Sequence, residues 1–138
     1  MRIPVMIAPV VFALTAAGLM TAGVAQAATG TTKAQARLTK ALEGRIAGKP
    51  IDCIFQNQIR SSEIIDRTAI LYTVGRTIYV NTPPSGADFL NSGDILVTDT
   101  HSSQLCSVDS VKLLDQSSRM MRGSVGLGQF VPYAKPAA

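Results

Sequence analysis

Residues 68–82 read TAILYTVGRTIYVNT, two runs of alternating β-branched and aromatic side chains on either side of Gly75-Arg76. Two such runs separated by two residues mark a β-hairpin, and glycine at the first loop position suits a type II′ turn, whose first residue takes a positive φ. That turn fixes the register: Val74 stands opposite Thr77, Thr73 opposite Ile78, Tyr72 opposite Tyr79 and Leu71 opposite Val80. One face then collects Ala69, Leu71, Ile78 and Val80, and the other collects Ile70, Tyr72, Val74 and Tyr79. Both faces are apolar, so the hairpin is expected in the middle of a sheet with something packed on each side.

Working outward, IDCIF (51–55) and QIRSSEIID (58–66) read as strands upstream. Downstream, PPSGADFLNSGD (83–94) is a turn-rich connection with a short helical turn over Ala87 to Leu90, followed by strands in DILVTDT (94–100), SVDSVKLLD (107–115) and GSVGLGQFVPY (123–133). Gly126 and Gly128 leave one face of that last strand bare, where another backbone can approach. Before the β segment, TTKAQARLTKALEGRIAGKP (31–50) carries Ala34, Leu38, Ala41, Leu42 and Ile46 at helical spacing, with Thr31 or Thr32 as the cap and Gly48 and Pro50 as the stop. Lys33, Arg37 and Lys40 fall on the opposite side of this helix, as a solvated face or a contact for an anionic partner. The fold class is therefore α+β, mainly β. It comprises one N-terminal amphipathic helix plus about six or seven short, mostly antiparallel strands, forming a small barrel or a strongly bent sheet.

The chain opens MRIPVMIAPVVFALTAAGLMTAGVAQAATG: a basic residue, a long uncharged apolar run, and the small-residue tripeptide Ala25-Gln26-Ala27. This is the plan of a secretory signal peptide, with cleavage expected after Ala27. The apolar run is long enough to span a bilayer, but Pro4, Pro9 and the A-x-A site favour cleavage over a stable membrane anchor. The expected organisation is a signal peptide over 1–27, an N-terminal helix and linker over 28–50, a disulfide-stapled β domain over 51–133, and a flexible tail over 134–138. Once exported, the protein would be periplasmic or secreted. The full chain carries 13 Lys and Arg against 9 Asp and Glu, scattered and interleaved, with no tryptophan, which argues against a nucleic-acid footprint.

Only two cysteines occur, Cys53 in PIDCIFQ and Cys106 in QLCSVDS. In an oxidising compartment such a pair ends as a disulfide. Neither lies in a C-x-x-C at a helix start, as a redox pair would, and two sulfurs with one histidine do not make a zinc site. A structural bond places the Cα atoms about 4.4–6.8 Å apart. No cofactor is implied.

Catalytic templates each lack a part. The sole histidine, His101, would have to anchor any triad, with Asp99 and Ser102 or Ser103 as companions, yet no G-x-S-x-G elbow accompanies it. Asp66, Asp109 and Asp115 sit beside strand ends, where carboxylates accept bonds from turn backbones. GSVGLG has the wrong glycine order for a dinucleotide loop.

Taken together, PIDCI, SSEIIDRTAILY, TIYVN, DILVT, QLCSVDSV and GQFVPY resemble an uncharacterised family of small exported proteins of Gram-negative bacteria, over roughly Leu38 to Tyr133. The resemblance implies export and the pairing of Cys53 with Cys106, and carries no catalytic residue. The expectation is a non-enzymatic binding or structural accessory of the cell envelope, engaging an envelope protein or ligand through Lys33, Arg37, Lys40, Tyr72 and Tyr79. The alternative is a small periplasmic hydrolase using His101.

Overall fold

The structure is a computed structural model; it describes residues 25–137, with side chains from Thr32 onward. The expected leader thus lies outside the described residues as far as Val24, and its cleavage tripeptide forms the start of the helix α1, Ala25–Ala41. Ten strands follow among the described residues: β1 (Ile46–Ala47), β2 (Cys53–Phe55), β3 (Ile59–Ile65), β4 (Ala69–Val74), β5 (Thr77–Asn81), β6 (Asp94–Thr98), β7 (Gln104–Cys106), β8 (Ser110–Asp115), β9 (Met121–Gly126) and β10 (Phe130–Ala134). They pair antiparallel into a five-stranded sheet of order β1-β10-β5-β4-β3, a three-stranded sheet β6-β8-β9, and the pair β2-β7.

The protein is mainly β with one helix, as expected, but the sheets do not close into a barrel. Strands outnumber the expectation because one apparent run is interrupted and short strands form where none was assigned. Leu127 to Gln129 separate β9 from β10 within GSVGLGQFVPY, and β7 forms ahead of SVDSVKLLD, while the expected break between β2 and β3 is a 3-10 turn over Gln56–Gln58. The expected linker and tail are also partly strand, since Ile46 pairs with Ala134 and Ala47 with Tyr133.

The hairpin β4–β5 has the register its turn demands, with Leu71 opposite Val80 and Tyr72 opposite Tyr79, and Gly75 at φ +59°. It is central, with β10 and β3 on its flanks, and both faces are covered. On one face Leu71, Val80, Ala69 and Ile65 meet Ala34, Leu38 and Ala41 of α1 and Leu42 just after it. On the other, Ile70, Tyr72 and Ile64 pack with Phe130 against Ile54 and Leu105 of the small pair and Val111, Leu113 and Val125 of the three-stranded sheet. Burying each of these large side chains contributes about 1.5–3 kcal/mol, so the two clusters on this one hairpin unite the helix with all three sheets.

The helix runs through Thr31 and Thr32 and ends at Ala41, earlier than Gly48 and Pro50. Gly44 at φ +70° turns the chain away, and Ile46 leaves the apolar stripe to become an exposed strand residue. Arg45 then ties the linker down by donating from Nη1 to the Arg76 carbonyl at the hairpin tip (2.7 Å) and to that of Tyr133 (3.2 Å).

The bare face at Gly126 and Gly128 is filled as its glycines require. A Cβ on Gly128 would stand 2.7 Å from the Thr82 carbonyl oxygen, and one on Gly126 would stand 2.6 Å from Ser85 Oγ. The same approach lets fully buried Asn81 act as a surrogate backbone: its Nδ2 donates to the Gly128 carbonyl (2.6 Å) and its Oδ1 accepts from the Gly128 N–H (2.9 Å).

Cys53 and Cys106 form a disulfide across β2 and β7, with Cα atoms 4.0 Å apart, closer than expected. The reason is the ladder. The Cys106 N–H donates to Asp109 Oδ2 and the Ser107 N–H to the Asp52 carbonyl, so the cysteines are a directly opposed, non-hydrogen-bonded pair, the narrow kind at about 4.5 Å.

Candidate functional site

The alternation of ladder bonds decides which backbone groups remain free. The two-residue turn makes Val74, Tyr72 and Ile70 the residues of β4 that bond to β5, leaving Thr73, Leu71 and Ala69 to bond β3 through Ser61, Glu63 and Ile65. Ser62 and Ile64 therefore turn their N–H and C=O groups to the outer edge of β3. In the three-stranded sheet the Asp115 N–H donates to the Met120 carbonyl on the β9 side, so Leu114 and Lys112 bond β6 at Ile95 and Val97. Leu96 then faces outward on the edge of β6, as does the Asp94 carbonyl.

β3 and β6 are each the terminal strand of their sheet, and they do not pair with one another. Both border one cleft of about 270 Å³, walled by Ser62, Glu63 and Ile64 from β3, Asp94, Ile95 and Leu96 from β6, and Arg37 and Ser92 at its mouth. Unpaired strand edges are templates for further pairing, and two of them share this cavity.

Its charges are unevenly satisfied. Arg37 donates from Nη2 to Glu63 Oε1 at 2.8 Å and lies 3.8 Å from Asp66 Oδ2. Asp66 is further bound by the Ser92 N–H at 2.6 Å. Asp94 differs: its side chain is 1% exposed, neither carboxylate oxygen accepts a hydrogen bond, and its nearest cation, Arg122 Nη1, is 3.7 Å away. Arg122 is shared with Asp115 at 3.5 Å, and Asp115 is already held well below the usual carboxylate range by the hydroxyls and backbone N–H groups of Ser117 and Ser118. Asp94 is therefore a buried acceptor short of donors.

The residues singled out from the sequence are not gathered here, except Arg37. Lys33 and Lys40 are exposed on α1, and Lys40 borders a wide, open hollow of about 1050 Å³ along the helix. Arg37 is engaged with Glu63 and Asp66, so the basic face serves in part to dock the helix. Tyr72 is not a surface tyrosine: it is 3% exposed and meets Phe130 edge to face at 5.8 Å, and burial of its hydroxyl, which has no hydrogen-bond partner, pushes its pKa up. Tyr79 is half-buried beside the same cluster.

His101 is exposed and makes no hydrogen bond to a described residue. Asp99 lies 3.8 Å from Lys112 instead, and Ser102 Oγ donates to the Gln104 carbonyl at 2.9 Å. The structure does not bring the three into a triad. The turn-capping role expected for the acids holds at Asp109 and Asp115, whereas Asp66 caps a distant loop. Glu63, Ser92 and Asp94 were not singled out, because an acid at the start of DILVT looks like any strand boundary.

No matching family model, curated protein or solved structure was found in the comparisons. No group of three or more potential metal-ligating side chains occurs among the described residues, and none of their helices is long and apolar enough to cross a membrane.

Proposed function

We propose that this protein is a non-enzymatic binding module of the cell envelope, exported to the periplasm or beyond. The observation that carries this reading is the cleft between β3 and β6, where unpaired backbone edges line one cavity beside the under-coordinated, buried carboxylate of Asp94. The disulfide fits an oxidising compartment, as does the leader-like amino terminus.

The test is comparative affinity capture from envelope extract with the disulfide-bonded protein, against an unrelated exported domain of similar charge. A reproducible partner, retained by His101→Ala, is the expected result. Hydrolysis of ester or peptide substrates by the purified protein, abolished in a folded His101→Ala variant, would replace the binding reading with the hydrolase one.

A further inference from the structure

We propose that the β3–β6 cleft accepts an extended peptide of a partner protein as an added strand, with a lysine or arginine side chain of that peptide directed at Asp94. This rests on the binding-module reading and names its ligand.

The first support is backbone chemistry. The outward groups of Ser62 and Ile64 on β3 and of Leu96 on β6 border the same cavity, so a strand entering it meets unpaired backbone groups to bond. A helix presents its own backbone groups already paired and cannot satisfy these edges.

The second support is charge. Arg37 is balanced by Glu63 and Asp66, and Asp115 is supplied by Ser117 and Ser118, whereas Asp94 accepts no hydrogen bond and has only a share in Arg122 at 3.7 Å. The missing component is a donor carrying positive charge. A carboxylate in the same place would meet Asp94 and Glu63 without a free cation to offset them. Ile64 and Leu96 beside it offer apolar contact to neighbouring residues of the peptide.

Isotope-labelled protein in its disulfide-bonded form can be titrated with two pools of end-blocked heptapeptides, degenerate except for a central lysine in one and a central glutamate in the other. The lysine pool should shift the amide resonances of Ser62, Ile64 and Leu96 and slow their hydrogen exchange by at least about tenfold. The glutamate pool should do neither at equal concentration, and N-methylation at alternate peptide residues should abolish the effect. Asp94→Asn should erase the preference for lysine; if that variant fails to fold, the comparison of pools on the wild type decides.

Shifts confined to the outer face of α1 or to Tyr79 would leave a binding module but overturn this site. No response to either pool at millimolar concentration, alongside a captured partner, would likewise overturn strand addition and spare the broader reading. Protection of the same amides that rises with protein concentration in the absence of peptide would assign the edges to a second copy of the chain, and the proposal would fall.

Discussion

Gly75 stands at φ +59° with nothing within 4 Å of the place where a Cβ would sit, so the cost of a side chain there is conformational and not steric. Gly75→Val should lower stability by about 1–2 kcal/mol in a denaturant titration. Tyr72 offers the opposite case. Its ring fills the core but its hydroxyl is buried without a partner, so Tyr72→Phe removes an unmet polar group at little cost in packing. Its stability, measured in the same way, should be unchanged or higher by up to about 1 kcal/mol. That the Gly75 role was readable and the Tyr72 role was not has a physical cause: a turn is decided by adjacent residues, whereas a tyrosine's exposure depends on what a distant segment lays over it. Asp115 adds a pH dependence. Its folded pKa is depressed, so its stabilising bonds are fully present above the ordinary carboxylate value of about 3.9 and are lost as the pH falls below it. Asp115→Asn should therefore be less stable than wild type at neutral pH, and thermal melts of the two should converge on acidification.

Helix α1 is held by its apolar stripe and by Arg37, whose pairs with Glu63 and Asp66 are largely solvated, the Arg37 and Glu63 side chains being 40% and 52% exposed. A double-mutant cycle on Arg37 and Glu63 should return a coupling of about 0.2–1 kcal/mol that shrinks with added salt, so that Ala34, Leu38 and their neighbours carry most of the docking. The elements themselves were legible wherever their signals are local: the hairpin register, the turn at Ala87, and the backbone approach at Gly126 and Gly128. The helix end was misplaced because Ile46 continues the apolar spacing, and periodicity alone cannot show that Gly44 has already turned the chain. The cleft was invisible for a different reason. β3 and β6 are separated in sequence by the whole central hairpin, and nothing in either strand records that both keep a free edge beside the same cavity.

For the molecule as a whole, the disulfide links β2 to β7 and closes a loop with a sequence separation of 53. The chain-entropy estimate for such a loop is about 4 kcal/mol. Cys53→Ser, Cys106→Ser and the double variant should lose nearly the same amount in chemical denaturation, since each removes one and the same constraint. A double variant as stable as wild type would show that the small sheet holds without its bond. The position of β10 carries a consequence of another kind, one of time. It comes after the other nine described strands in sequence, yet its place is inside the sheet, between β5 and β1, and Phe130, its first residue, is among the largest wholly buried side chains. A chain emerging from its amino terminus can form the hairpin early, but it must wait for β10 before β5 gains its second neighbour and the core its Phe130 ring. Closure is thus a late event, and a variant without β10 would be left with an open sheet beside β5 and a vacancy where Phe130 sits.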